Sequence, residues 1–302
     1  MVEKINLTFL GTGSAIPTVR RNHPAILLKY KNENILVDCG EGTQRHFRKA
    51  NLNPCKITKI LISHWHGDHV LGLPGLLMTM RMNGYNKNLE IYGPKGTKEK
   101  VRQYFDLIGQ KGQDLDVKVI EVKSGIIFDN NDFQIESERV SHDCPALAYS
   151  FSVKEKNRLD KDKLVKLKIP NSPLIGELVK GKIVEINGKK INGKKLMYKE
   201  PSRKVTFIMD TRMCEEAVGI AKGSDVLISE ATYSKEESEI AIEHGHLTSV
   251  DAAKIAKKAK VKSLVLIHLS QRYEAIPKVI LKEASEVFED VIIPEDLDEV
   301  EL

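Results

Sequence analysis

Apolar and polar positions along the 302-residue chain fall into short runs bounded by turn residues. Twelve of these runs predict strands, at residues 5–10, 25–30, 35–38, 59–63, 89–92, 117–122, 133–140, 146–153, 204–209, 225–228, 263–267 and 290–293. Between them, apolar residues recur at helical spacing over 43–50, 73–81, 97–108, 214–221, 249–259 and 277–288. In the third of these helices Val101, Tyr104, Phe105 and Ile108 stand at i, i+3, i+4 and i+7, one face of a 3.6-residue period. Strands and helices in mixed order predict an α/β sandwich, and no internal repeat interrupts it. From Met1 to Leu10 apolar and polar residues alternate, so the chain is expected to open on a strand rather than a signal peptide. No apolar run reaches the roughly 18 to 20 residues of a membrane span.

One stretch breaks the pattern. Residues 154–201 contain Pro170, Pro173 and Pro201, with Gly176, Gly181, Gly188 and Gly193, and Tyr198 is their only aromatic. Aliphatic residues there are interleaved with lysines, which argues against an independent core. The expected form is an arm inserted at 154–203, between the strand ending at Val153 and the one starting near Lys204. Charge sharpens this reading. Residues 154–204 hold 16 Lys and Arg against 6 Asp and Glu, a local +10, which leaves −5 for the rest of a chain whose total is +5. So concentrated a run points to a polyanion contact, with a solvated surface insertion as the bland alternative. Cys39, Cys55, Cys144 and Cys214 are scattered without C-x-x-C pairing. That argues against a disulfide scaffold or thiolate zinc finger, and a reducing cytoplasm is the expected compartment.

The candidate chemistry begins at the end of the strand 59–63, in Ser63-His64-Trp65-His66-Gly67-Asp68-His69. Three imidazoles and a carboxylate within six residues suit borderline-soft Zn²⁺. Alternate residues of an extended loop point one way, so His64 and His66 can share one metal. Asp68 and His69, past the Gly67 turn, can face a second. The missing ligands are expected at later strand ends, where His142, Asp210 and His268 stand. The set then divides: His64, His66 and His142 for one ion, Asp68, His69 and His268 for the other, and Asp210 bridging. Two such ions acidify a shared water and stabilise charge on substrate oxygens.

This ordered set resembles the metallo-β-lactamase superfamily and, within it, the ribonuclease Z family. The resemblance spans nearly the whole chain. It is carried by Phe9-Leu10-Gly11-Thr12-Gly13, Asp38-Cys39-Gly40-Glu41-Gly42-Thr43-Gln44, the histidine loop, Asp210-Thr211-Arg212, Ser229-Glu230-Ala231-Thr232, His246-Leu247-Thr248-Ser249 and His268-Leu269-Ser270-Gln271-Arg272-Tyr273. Met209 stands where that family usually has glycine. The segment 169–174 resembles, with fewer glycines, part of the family's tRNA-gripping arm, and 17–22 resembles its loop near the substrate's 3′ end.

The resemblance implies a single αβ/βα four-layer sandwich over 1–302 carrying a projecting basic arm. It implies two Zn²⁺ per chain, precursor tRNA as substrate, removal of its 3′ trailer to leave a 3′-hydroxyl, and a homodimer in which one subunit's arm holds tRNA for the other's active site. Asp68 is then both ligand and proton acceptor for the attacking water. His246 donates a proton to the leaving 3′ oxygen, and Glu230 orients it; a helix-capping or salt-bridge role is the alternative for both. Asp38 is expected to hydrogen-bond a ligand histidine. Arg212 and Arg272 either contact phosphate or pair with local carboxylates. His23 and His46, with no companion ligands, are expected to be ordinary surface or loop residues. Two other functions compete: a small-molecule ester, thioester, lactone or sulfate-ester hydrolase of the same superfamily, and a non-catalytic RNA-binding protein stabilised by zinc.

Overall fold

The computed structural model describes residues 3–107, 109, 115–170, 172–186 and 188–302. Met1 and Val2 of the first expected strand, Ile108 of the expected helical face and Asn171 of the arm lie outside the described residues. The first part of the chain runs β1 (Ile5–Gly11), β2 (Ala25–Tyr30), β3 (Glu33–Val37), α1 (Thr43–Lys49), β4 (Lys59–Leu61), α2 (Gly67–Val70), α3 (Leu73–Met82), β5 (Leu89–Gly93), α4 (Thr97–Leu107) and β6 (Val117–Glu121). Next come β7 (Gly125–Asp129), β8 (Phe133–Val140) and β9 (Ala146–Val153). The inserted arm contributes β10 (Lys156–Leu159), α5 (Lys161–Lys166), α6 (Leu174–Val179), β11 (Ile183–Ile186), β12 (Lys189–Asn192), α7 (Gly193–Leu196) and β13 (Met197–Glu200). The chain closes with β14 (Arg203–Ile208), α8 (Glu215–Ala221), β15 (Val226–Glu230), α9 (Ser238–His244), α10 (Ser249–Ala259), β16 (Ser263–Ile267), α11 (Pro277–Ser285), β17 (Val291–Ile292) and β18 (Glu299–Glu301).

Two seven-stranded sheets result, β18-β1-β2-β3-β4-β5-β6 and β17-β16-β15-β14-β9-β8-β7. Their central strands are apolar on both faces, so each sheet is covered twice. On β1, Ile5, Leu7 and Phe9 enter the core between the sheets, while Leu10 faces outward. On β14, Val205 and Phe207 do the same, while Ile208 faces outward. The outer face of the first sheet is covered by Phe47 of α1, Leu76, Leu77 and Met80 of α3, and Val101 of α4. The second is covered by Ala217 and Ile220 of α8, Ala252 and Ile255 of α10, and Ile280 of α11. The layers are therefore αβ/βα, the four-layer sandwich that the resemblance implies.

Strand direction places the chemistry. β3 and β4 run parallel. In the other sheet β9 is antiparallel to both β8 and β14, and β14, β15 and β16 are parallel, so all but β9 of these deliver their C-terminal ends to one edge. Two hydrogen bonds tie the sheets together beside that edge, from the Leu147 amide to the Ser63 carbonyl (2.9 Å) and from the Tyr149 hydroxyl to the Ile62 carbonyl (2.7 Å).

Residues 154–203 are expected to lack an independent core, and here the structure differs: they have one of their own. Leu178, Ile186 and Leu196 are buried, with Leu159, Leu164, Ile169, Val184 and Ile191 packed around them. Each short element sends one or two aliphatic side chains inward, a spacing too irregular to register as a period. Two antiparallel pairs, β10 with β13 and β11 with β12, frame this cluster. Elsewhere the pattern missed β7, β18, α2 and α9. They are short or mostly exposed; α9 buries only Ala241.

Candidate metal centre

Asp38 leaves β3 in the left-handed region, at φ +56°. Its carboxylate is fully buried and accepts from the Ser63 amide (2.7 Å), the Ser63 hydroxyl (2.7 Å) and His69 Nδ1 (2.7 Å). Beneath the loop, Gly40 lets two segments touch: a Cβ there would lie 2.3 Å from the Asp68 carbonyl. The hydrogen bonds then settle which ring nitrogen of each histidine faces the centre. His69 donates from Nδ1 to Asp38, which leaves its Nε2 facing the centre. Because Ser63 Oγ donates to Asp38, His64 Nδ1 donates to Ser63 Oγ (3.0 Å). His142 donates from Nδ1 to the Gly245 carbonyl (2.9 Å). Thr232 Oγ1 donates to Glu230 (2.5 Å), so His268 Nδ1 donates to Thr232 (2.8 Å). Four imidazoles thus turn Nε2 toward the centre, each oriented by a neighbour on its other nitrogen.

These nitrogens converge. His142 Nε2 lies 3.2 Å from His66 Nδ1. Asp210 faces both groups: its Oδ2 lies 3.5 Å from His64 Nε2 and 3.4 Å from His69 Nε2, and its Oδ1 lies 3.2 Å from His268 Nε2. Asp68 Oδ2 stands 3.2 Å from His69 Nε2 and 3.3 Å from His268 Nε2. The facing atoms of His64, His66, His142 and Asp210 lie within 4.8 Å of one another, as do those of Asp68, His69, Asp210 and His268. His64 Nε2, His69 Nε2 and Asp210 Oδ1 are buried without a hydrogen-bond partner. An orphaned buried polar atom costs about 1–3 kcal/mol. Three together, aimed at one spot among carboxylates, fit divalent cations of borderline softness. Burial, then the neighbouring His69, holds His64 well below the usual imidazole range, so it is the neutral form that ligates. His66 is exposed and forms the mouth.

Beside this cluster lies a carboxylate–imidazole pair. Glu230, the last residue of β15, is fully buried and accepts from the Thr211 amide (2.8 Å) and from Thr232. His246 Nδ1 sits 3.2 Å from its Oε2 and 3.3 Å from its Oε1. Burial alone would lower His246, but Glu230 outweighs it and raises the imidazolium to about 9. With Nδ1 engaged, Nε2 is the ring atom left to act.

Met209 is buried in the inter-sheet core and leaves Asp210 where β14 ends. Arg212 bonds Asp143 (2.7 Å) and the Ile242 carbonyl (2.9 Å), and Arg272 bonds Glu237 (2.9 Å), so both are paired locally. His23 lies in the loop before β2, as expected of a loop residue, but it is buried; His46, buried on α1, is neither surface nor loop. His23 Nε2 contacts the Ala15 carbonyl (3.2 Å), and His46, on α1, bonds the Leu10 carbonyl (2.5 Å) with Asp296 3.6 Å away. Sequence reasoning passed over Thr232 and Gly245, which orient His268 and His142. A threonine hydroxyl and a backbone carbonyl leave no chemical signature in a sequence.

A family model described as a beta-lactamase superfamily domain matches residues 195–269, and one described as anti-Pycsar protein Apyc1 matches residues 5–170. The chain is 38% identical over 300 residues to ribonuclease Z of Methanothermobacter thermautotrophicus, covering 99% of this chain and 97% of that one. It is 37% identical over 306 residues to ribonuclease Z of Enterococcus faecalis, with 99% and 97% covered. It is also similar to the crystal structure of the short form of human tRNase Z, at 28% identity and a TM-score of 0.70 over 98% of both chains.

Proposed function

The chain belongs to the ribonuclease Z family, and on that premise we propose that it is a zinc-dependent endoribonuclease that removes the 3′ trailer of precursor tRNA and leaves a 3′-hydroxyl on the tRNA. The observation that carries this reading is Asp210, one buried carboxylate whose two oxygens face both histidine groups. His64, His66 and His142 would hold one zinc, Asp68, His69 and His268 the other, with Asp210 between them. Two bound Zn²⁺ ions supply a water acidic enough to attack at neutral pH and positive charge for the phosphate oxygens.

The remaining chemistry belongs to the chain. Asp68 accepts the proton of the attacking water. As the new O–P bond forms, the bond from phosphorus to the ribose 3′ oxygen breaks, and His246 Nε2 gives that oxygen its proton. Glu230 keeps His246 protonated and aimed; Asp38 fixes His69. The phosphate stays on the trailer. Of the two paired arginines we assign Arg272 to phosphate: it is half exposed and bonds one carboxylate, Glu237, whereas Arg212 bonds Asp143 and two backbone carbonyls.

The +10 segment supplies the sequence-independent grip on tRNA, and in a homodimer one subunit's arm serves the other's site. The four cysteines are unpaired, and no helix among the described residues is long and apolar enough to cross a membrane; we assign the activity to the cytoplasm. The test is metal content. Native protein should carry two zinc ions per chain, and Asp210→Ala should lose at least one together with precursor-tRNA cleavage. A fully active Asp210→Ala protein with both ions would overturn the bridging assignment.

A further inference from the structure

Tyr233 lies beside the proton donor yet orients no proposed metal ligand and takes no part in proton transfer. Its backbone is fixed to the loop that carries His246: the Tyr233 amide donates to the Leu247 carbonyl (3.3 Å), and the Ser249 amide donates to the Tyr233 carbonyl (2.9 Å). The ring is partly exposed, with its centroid 5.9 Å from that of His246 at 60°. The Arg272 guanidinium stands 5.6 Å from the same centroid, tethered by Glu237 at 2.9 Å. Glu237 in turn accepts from the Tyr273 hydroxyl. A partly exposed aromatic ring with a guanidinium over it is an arrangement on which proteins stack an unpaired base, the cation adding to the stack.

We propose that Tyr233 is the stacking platform for the base of the nucleotide whose 3′ oxygen leaves, the last nucleotide kept on the tRNA. The inference rests on the nuclease reading above. His246 Nδ1 is engaged by Glu230, so the leaving oxygen meets Nε2. The base on that oxygen's own ribose must then lie within one nucleotide's breadth of His246, which is the span to the Tyr233 ring. Stacking accepts any base but favours the larger π-face, so a purine at this position is cut faster than a pyrimidine. Arg272, over the Tyr233 ring, extends the stack and stays near the scissile phosphate.

The test pairs two protein variants with a precursor tRNA made abasic at that one nucleotide. On intact substrate, Tyr233→Ala should lower kcat/KM roughly 5- to 150-fold, the range for one lost base–aromatic stack. Tyr233→Phe should stay within about twofold of native, because the ring and not the hydroxyl is used. The abasic substrate should cost native protein a similar factor and cost Tyr233→Ala almost nothing further, since the two changes remove one contact. Zinc content checks that each variant is folded. Losses that multiply, or a Tyr233→Phe defect as large as that of alanine, would overturn the stacking role. Failure of native protein to cut intact precursor tRNA would instead overturn the nuclease reading itself.

Discussion

Glu230→Gln removes the negative charge beside His246 while keeping the side chain's shape and one oxygen for the Thr211 amide; its NH2 meets the Thr232 hydroxyl, which can turn to accept. In the native chain His246 is raised to about 9. At pH 7.5 such a group is about 97% protonated and ready to donate. Without the Glu230 charge, burial acts nearly unopposed, save for Asp210 at 3.8 Å, and His246 returns to its ordinary value of roughly 6.5 or below. At pH 7.5 about one molecule in ten or fewer then carries the proton, so turnover of precursor tRNA should fall at least about tenfold. The sign follows from the raised value. The acid form is present below the folded pKa and lost as pH rises through it, so native activity should fall near pH 9. In the variant the same decline should begin about 2.5 units lower. The assay is kcat from pH 5.5 to 9.5 on precursor tRNA and on bis(p-nitrophenyl) phosphate, whose p-nitrophenolate leaves without a proton. The defect should shrink toward pH 5.5 and be much smaller on the aryl ester. Equal losses on both substrates at every pH, or an unmoved alkaline limb, would refute the reasoning and make Glu230 purely structural.

Deleting residues 156–199 removes most of the basic excess, a self-contained small core and none of the proposed ligands, so the sandwich should survive. Affinity for tRNA should drop and its dependence on salt should flatten, while hydrolysis of bis(p-nitrophenyl) phosphate stays near the intact level; unchanged tRNA binding would make the arm a passive insertion. Asp296 accepts from the Thr12 amide (3.0 Å), the Thr12 hydroxyl (2.8 Å) and the Asn22 amide (2.7 Å), so Asp296→Ala should destabilise the fold by about 3 kcal/mol, and a loss below about 1 kcal/mol in denaturant titration would show that water replaces it. Gly245 has φ +75°, and a Cβ there would lie 2.8 Å from His142 Nδ1, so Gly245→Ala should displace that imidazole and lower zinc occupancy. Full occupancy with native activity would show that the α9 end relaxes instead.

The centre was legible in the sequence for a geometric reason. His64, His142, Asp210 and His268 each stand just past a strand, and sheets present such positions to a common edge. The arm's charge was equally plain, because composition needs no structure. Its small core was not, since Leu178, Ile186 and Leu196 come from separate short elements without a shared period. Thr232 was hidden for another reason: its hydroxyl matters only because β15 and β16 bring Glu230 and His268 to it. The same holds for His46, whose burial depends on Leu10 and on Asp296, the latter 250 residues further along the chain. Arg212 and Arg272 were ambiguous because the carboxylates they meet, Asp143 and Glu237, lie far away in sequence.

Cleavage by this chain should leave the phosphate on the trailer and a hydroxyl on the tRNA. The direct measurement is incubation of the purified zinc-loaded protein with a 3′-extended precursor tRNA, followed by mapping of both new ends. A single cut at the base of the trailer, with a 3′-hydroxyl on the tRNA and a 5′-phosphate on the released fragment, is the predicted result. An uncut precursor in a preparation that hydrolyses bis(p-nitrophenyl) phosphate, or a cyclic phosphate left on the tRNA, would contradict it.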